Sequence, residues 1–190
     1  MIKRWIAATM LFATMQVSAQ SPLFDPVTGY RITQYRGIVD RVPEGVRRID
    51  VRQAAAWKGR AIFIDVTPAE GAVRSEDGVW HLAMPHATIP GAHWFPEAGR
   101  GVQPPGIGPW FDHGAERLTG GKRTRPIVIF CLADCWMSWN AALRLHRFGY
   151  TRVYWFAEGI DGWKEAGRPL ANVTPTPLPH FRQSRAGGNP

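Results

Sequence analysis

The chain has 190 residues, of which 45% are hydrophobic and 20% are charged, and this balance is that of a globular domain with a core rather than of a disordered chain. The formal net charge is +8, but basic residues such as Arg47 and Arg48 are scattered and do not alternate with aromatic residues. We therefore interpret the charge as a solvated surface and expect no nucleic-acid partner. The two cysteines, Cys131 and Cys135, are too few for a disulfide scaffold and indicate one site.

The first residues have the pattern of a secretory leader. Lys3 and Arg4 precede an uncharged, mostly apolar run over residues 5–15, and small residues at 17–19 suit a signal peptidase. We predict a cleaved signal peptide over residues 1–19. The mature protein would then be periplasmic, in a disulfide-permissive space and without a membrane anchor. An uncleaved N-terminal anchor is the alternative.

The mature chain begins with an N-terminal extension, residues 20–59, which we expect to pack on the main domain. The extension has short alternating stretches and ends in a predicted helix over residues 52–59. The main domain follows over residues 60–170. It opens with AIFIDV, residues 61–66, a run typical of a strand that is buried on both faces.

The rest of the main domain alternates strands and helices. In chain order we predict a turn between short segments in residues 67–83, a strand at 92–95, a Gly- and Pro-rich loop at 99–110, a brief helix at 112–118, a buried strand at 125–130, an amphipathic helix at 137–148, a strand at 152–156 and a short helix from 159. This order predicts an α/β fold, a small parallel sheet flanked by helices. Residues 171–190 have no periodicity, and we expect a poorly ordered tail there.

The cysteines lie where α/β proteins bind ligands. Cys131 ends a predicted strand and Cys135 follows four residues later, just before a predicted helix. Backbone N–H groups and the helix dipole favour a thiolate in such a loop, so we expect a lowered pKa at Cys131. A redox-active or sulfur-handling pair is therefore indicated. A structural disulfide is a second interpretation, although so short a loop gains little stability from closure. We expect no metal site, because the histidines have no metal-ligand spacing.

Four segments resemble the landmarks of a rhodanese-like domain over roughly residues 60–170. They are FIDV, HATIPGAHWFP, RPIVIFC and ALRLHRFGYTRVYWFAEGIDGWKEAGRPL. The resemblance implies a parallel α/β sheet with an active-cysteine loop at its carboxyl edge. It places Cys131 at the persulfide-forming position and Asp65 at a structural aspartate position. It likewise places His86 at the histidine before Ile-Pro-Gly and Trp163 at the terminal tryptophan.

The chain departs from the usual sulfurtransferase pattern. That pattern is C-x-x-G-x-R, with glycine for backbone freedom and arginine for an anionic donor, but these positions hold Asp134 and Trp136. Thr67 replaces the arginine of Asp-Val-Arg. An acidic residue and an indole at these positions weaken binding of thiosulfate-like dianions. Ordinary thiosulfate sulfurtransferase activity is therefore doubtful.

The segment CLADCWMSWNAA is similar to the exported C-x-x-x-C-W (CXXCW) motif family associated with PQQ-dependent alcohol catabolism. The resemblance implies a partner such as a periplasmic quinoprotein dehydrogenase, or an associated transport or electron-transfer protein, with PQQ or another redox cofactor as a candidate ligand. We predict that Cys131 is the nucleophile and Cys135 the resolving thiol. The site loop would comprise Leu132, Ala133, Asp134, Trp136 and Met137.

Two other interpretations of the chain stay open at the sequence level. In one, the chain is a non-catalytic module that binds a cofactor or partner and carries a structural disulfide. Trp136 and Trp139 could then stack on a planar ring, although packing in the core is the more usual role of such residues. In the other, the domain is inert and serves only in assembly.

Overall fold

The computed structural model describes residues 22–177, so the predicted leader and residues 178–190 lie outside the described part of the chain. The strands are β1 Arg47–Ile49, β2 Ile62–Asp65, β3 Val73–Arg74, β4 Trp80–His81, β5 His86–Thr88, β6 His93–Trp94, β7 Ile127–Phe130, β8 Val153–Phe156 and β9 Ala171–Val173. The helices are α1 Val51–Trp57, α2 Ile107–Thr119, α3 Trp136–Arg147 and α4 Gly159–Glu165. Between residues 22 and 177, no helix is long and apolar enough to cross a membrane.

Five of the described strands form the central sheet, in the order β1-β8-β7-β2-β6, and every neighbouring pair in it is parallel. All residues of β2, β7 and β8 are buried, as their continuous apolar sequences predict. The predicted α/β class with helices flanking a parallel sheet is confirmed. Because the strands are parallel, their carboxyl ends share one edge, and Asp65 and Cys131 both lie there.

Apolar side chains cover both faces of the sheet. One core cluster joins the sheet to α2 and α3 and contains both cysteines. It also contains Tyr30, Val39 and Val46, so the N-terminal extension packs on the main domain as expected. The second cluster lies on α1 and α4.

The sheet and helix α2 both begin earlier in the chain than predicted. The edge strand β1 lies within the predicted extension, so the sheet begins before residue 60. Helix α2 begins at Ile107 rather than at residue 112. Its Pro109 lies in the first turn, where backbone N–H groups have no partner within the helix, so a proline is tolerated there. The proline-rich sequence before residue 110 therefore marks a helix start as well as a loop.

The expectation of a poorly ordered tail is wrong for residues 171–177. Strand β9 pairs with β5 in an antiparallel ladder, and the Thr176 N–H donates to the Trp94 carbonyl at 2.7 Å. The Trp110 indole N–H donates to the Thr176 carbonyl at 3.1 Å. These hydrogen bonds join residues that are distant in sequence. A strand of three residues is also too short to show an alternating hydrophobic pattern, so the sequence alone did not predict it.

Candidate functional site

The cysteine loop joins β7 to α3 at the carboxyl edge of the sheet. Cys131 follows the last residue of β7 and has no exposed surface, and Cys135 is the N-cap residue of α3 with 3% exposure. Neither thiol is in a disulfide. Asp134 has a φ of 48°, in the left-handed region that glycine adopts freely and aspartate tolerates better than most residues. The loop thus keeps the backbone shape of the glycine pattern without the glycine.

Helix α4 holds the loop from one side. The Ile160 N–H donates to the Cys131 carbonyl at 2.8 Å, and the Ala133 N–H donates to the Asp161 carboxylate at 2.9 Å. A Cβ atom on Gly159 would lie 1.9 Å from the Cys131 carbonyl oxygen, so glycine is required there. Gly159 and Asp161 were not among the predicted site residues, although both lie in the GIDGW segment that carries the family resemblance.

The N-terminal extension covers the loop from the other side. The Trp136 N–H donates to the Tyr35 carbonyl at 2.8 Å, and the Gly37 N–H donates to the Asp134 carbonyl at 2.9 Å. Arg36 and Cys135 are opposite one another in this antiparallel bridge. The extension was predicted to pack on the domain, but its position over the thiols was not predicted.

Trp136 and Trp139, in the first turn of α3, pack against the N-terminal extension. The ring of Phe24 lies 5.3 Å from that of Trp136 and 6.3 Å from that of Trp139, both in edge-to-face geometry. The Arg31 guanidinium lies 4.9 Å from the Trp136 ring, and the Trp139 indole N–H donates to the Arg41 carbonyl at 3.1 Å. Trp136 and Trp139 are buried, so neither offers an open face to a planar cofactor. They pack the extension, and a stacking role for PQQ does not fit them.

Asn140, one turn after Trp136, fixes the backbone of the extension. Its side-chain carbonyl accepts the Arg31 N–H at 2.9 Å, and its amide group donates to the Arg31 and Gly99 carbonyls at 2.8 Å each. Asn140 is fully buried, so in the closed structure no solvent competes for these bonds. The asparagine therefore acts as a latch between α3 and the extension.

The expectation of a lowered pKa at Cys131 is wrong. Burial raises the pKa of Cys131 well above its usual value, and the neighbouring Cys135 raises it further. The Cys131 sulfur faces the carbonyl oxygens of Leu132 at 3.5 Å and of Cys135 at 3.6 Å, which favour a protonated thiol. The N–H groups of Ala133 and Trp136 are engaged elsewhere, and the Ser138 hydroxyl and N–H lower the pKa of Cys131 by less than burial and Cys135 raise it.

Cys135 has the opposite character. Its pKa is lowered to about 7, chiefly by its interaction with the neighbouring Cys131 thiol, against the opposing effect of burial. The Met137 N–H and the Arg36 guanidinium lower the pKa of Cys135 further. Cys135, as the N-cap residue, stands at the positive end of α3, where a thiolate is favoured. The structure brings the predicted pair together, with the lowered pKa at Cys135 and the raised pKa at Cys131.

A polar network occupies the neighbouring strand end. The His86 Nε2 atom lies 2.7 Å from an oxygen of the fully buried Asp65 carboxylate, whose other oxygen accepts the Thr67 N–H at 2.8 Å and the Thr67 hydroxyl at 2.6 Å. The Trp94 indole N–H donates to the Thr67 carbonyl at 2.7 Å. This network closes the carboxyl end of β2. Thr67 thus has a structural use where Asp-Val-Arg has its arginine.

The predicted supporting residues fall into two groups. His86 lines a mainly apolar cavity of about 250 Å³ that the loop residue Leu132 also lines. Trp163 lies in the second core cluster, away from the cluster that holds the thiols, and its indole N–H donates to the Pro169 carbonyl at 3.0 Å. Asp65 and His86 therefore belong to the site edge, and Trp163 belongs to the packing of α4.

Comparisons with known proteins agree with this geometry at the level of the family. The family model described as "Rhodanese-like domain" matches residues 43–166, more than half of the chain. No curated protein sequence matches significantly.

Solved structures with similar backbones are remote in sequence. The thiosulfate sulfurtransferase from Pseudomonas aeruginosa is 14% identical with a TM-score of 0.47 over 70% of this chain, which spans only 22% of that one. The Alr3790 protein from Anabaena sp. is 17% identical with a TM-score of 0.46, covering 66% of this chain and 92% of that one. The polysulfide-sulfur transferase from Wolinella succinogenes is 16% identical with a TM-score of 0.44, covering 74% and 85%. By its family match, the chain belongs to the rhodanese-like domain family.

Proposed function

We propose that this rhodanese-like protein carries out thiol–disulfide exchange through Cys131 and Cys135. The observation that carries the proposal is the difference in pKa between the two thiols. The two thiols are close neighbours, with the pKa of Cys135 lowered to about 7, chiefly by its interaction with Cys131, and that of Cys131 raised well above its usual value, chiefly by burial. A thiol with a pKa near the ambient pH is the most effective attacker, and its protonated neighbour is placed to resolve the product.

The reaction balances with a disulfide as the co-reactant. The Cys135 thiolate attacks one sulfur of a substrate disulfide RSSR, forming a mixed disulfide and releasing RS⁻. Cys131 then gives up its proton to the released thiolate and attacks the Cys135 sulfur, which expels the second RS⁻. The protein loses two electrons and forms one internal disulfide, and the substrate becomes two thiols after the second RS⁻ takes a proton from water.

The loop is less suited to ordinary thiosulfate sulfurtransferase chemistry. A persulfide on Cys131 would carry its negative charge among the carbonyl oxygens of Leu132 and Cys135. The Ala133 and Trp136 N–H groups are already bonded to Asp161 and Tyr35. Dithiol exchange needs neither an anion cradle at Cys131 nor the arginine that Trp136 replaces.

The cellular context belongs to the same proposal. The leader-like residues 1–19 support export to the periplasm, where a dithiol would meet disulfides. The C-x-x-x-C-W motif supports a place beside PQQ-dependent alcohol oxidation, with a quinoprotein dehydrogenase or an associated transport or electron-transfer protein as partner. A strain in which Cys131→Ser retains full growth on alcohols would contradict this context.

Single-cysteine variants test the exchange chemistry. With glutathione disulfide, Cys131→Ser should accumulate a stable mixed disulfide on Cys135, because the attacking thiol is present and the resolving thiol is absent. Cys135→Ser should react far more slowly, since the remaining thiol is buried and protonated. Mass spectrometry of the intact proteins measures both. A mixed disulfide confined to Cys131, or a gain of one sulfur atom from thiosulfate on the wild type, would contradict the proposal.

A binding module remains a second candidate because of a separate cavity of about 530 Å³. Arg74 Nε and Trp80 Nε1 are buried at its wall without a hydrogen-bond partner among residues 22–177, and Arg100, paired with Glu97, lines it as well. Buried donors of this kind favour a ligand with acceptor oxygens. Quenching of tryptophan fluorescence by PQQ that survives replacement of both cysteines but is lost in Arg74→Gln would favour this candidate.

A further inference from the structure

The pairing of the extension with the cysteine loop has a definite side-chain geometry. The two flanking hydrogen bonds, Gly37 N–H to Asp134 at 2.9 Å and Trp136 N–H to Tyr35 at 2.8 Å, leave Arg36 and Cys135 as a non-hydrogen-bonded pair. In such a pair the two side chains lie on the same face, and their Cβ atoms approach more closely than in the alternate position. The Arg36 side chain is therefore placed beside the Cys135 sulfur by the backbone itself.

Arg36 differs from the other basic residues of the extension. Arg31 is buried on the Trp136 ring and donates to the Thr33 and Gln34 carbonyls. Arg41 is paired with Asp40. Arg36 is exposed and has no carboxylate partner among the ion pairs of residues 22–177.

The loop lacks a cation of its own. Trp136 stands where the sulfurtransferase pattern has arginine, and Asp134, in the same loop, is exposed and acidic. A thiolate at Cys135 consequently depends on charge supplied from outside the loop. Cys131 and Arg36 are the groups that favour it through their side chains, and Met137 favours it through its N–H.

We propose that Arg36 of the N-terminal extension supplies the guanidinium that the cysteine loop lacks, and that it directs Cys135 towards disulfides carrying carboxylates. This inference rests on the proposed dithiol exchange and names its substrate class. When Cys135 attacks, Arg36 lies beside the sulfur at which the new S–S bond forms. From there the guanidinium attracts a carboxylate of the incoming disulfide and the thiolate that leaves.

Two readouts separate this role from a merely structural one. The first is the rate of iodoacetamide alkylation of Cys135 as a function of pH, which follows the thiolate fraction. The second is the ratio of the reaction rates with glutathione disulfide, which is anionic, and with cystamine, which is cationic. Arg36→Gln removes the charge and Arg36→Lys keeps it. Arg52→Gln is the matched control, since the Arg52 side chain is 91% exposed on α1.

We expect Arg36→Gln to move the midpoint of the alkylation profile to higher pH and to lower the glutathione-to-cystamine ratio by about fivefold, as for one favourable exposed charge pair. Arg36→Lys should restore both in part, and Arg52→Gln should change neither. An unchanged midpoint and ratio in Arg36→Gln, with the wild-type midpoint near 7, would overturn the assignment of Arg36 and leave the dithiol proposal standing. A wild-type profile without that midpoint would overturn both.

Discussion

The latch at Asn140 gives the sharpest prediction about access to the thiols. Replacing Asn140 with alanine removes its three hydrogen bonds to the Arg31 N–H, the Arg31 carbonyl and the Gly99 carbonyl. These groups are left without their partners in a buried setting. A loss of this kind destabilises the docked extension by about 2–3 kcal/mol.

The size of the effect on the thiols follows from that free energy. Cys135 is 3% exposed, and the Arg31 segment that Asn140 holds packs on the neighbouring Trp136. A reagent reaches the sulfur when this segment opens, while Arg36 keeps its own backbone bridge to the loop. If opening and closing are fast relative to alkylation, the rate follows the open population. A change of about 2–3 kcal/mol raises that population about 30- to 150-fold.

The assay is native-state alkylation of Cys135 with iodoacetamide at pH 8, followed by mass spectrometry, with urea unfolding measured in parallel. Ile89→Ala is the matched control, because Ile89 is fully buried in the other core cluster and its truncation costs a similar amount of global stability, about 2–5 kcal/mol. Alkylation of Asn140→Ala that is no faster than that of Ile89→Ala would refute the latch.

Three further substitutions probe the loop. Gly159→Ala should lower the free energy of unfolding by more than about 1 kcal/mol, because the new Cβ atom would meet the Cys131 carbonyl. Gly149 also has a positive φ but lies in open space, so Gly149→Ala should lower the free energy of unfolding by less in the same urea titration. Cys131→Ala should raise the pKa of Cys135 from about 7, visible as an alkylation profile moved to higher pH, because the largest cause of its lowering is removed. Asp134→Gly should keep or raise the urea midpoint, since φ is 48° at this position, and a large loss of stability would contradict the backbone role.

Much of the fold could be predicted from local patterns. Strands β7 and β8 are continuous apolar runs, and β2 is one apart from Asp65 at its end, which identifies strands buried on both faces. Their order along the chain, interrupted by helices, then leads to a parallel sheet and to a site at its carboxyl edge. The hydrogen bond of the buried Asp65 to His86 agrees with the structural role that the family resemblance implies for Asp65.

The roles of the two thiols could not be predicted in the same way. The expectation of a reactive Cys131 assumes that the loop N–H groups point at its sulfur. In the folded chain, Asp161 and Tyr35 take two of these groups from positions distant in sequence. The contribution of Arg36 likewise arises from a bridge across about a hundred residues, which no spacing in the sequence reveals.

The reduction potential of the Cys131–Cys135 pair tests the central claim most directly. The protein is equilibrated with glutathione buffers of graded composition, and free thiols are trapped by alkylation and counted by mass spectrometry. We predict that both thiols disappear together in one two-electron transition, at a potential above about −230 mV, within the range of thiol oxidoreductases. A potential below about −300 mV would identify a structural bridge, and thiols that oxidise independently would contradict dithiol exchange.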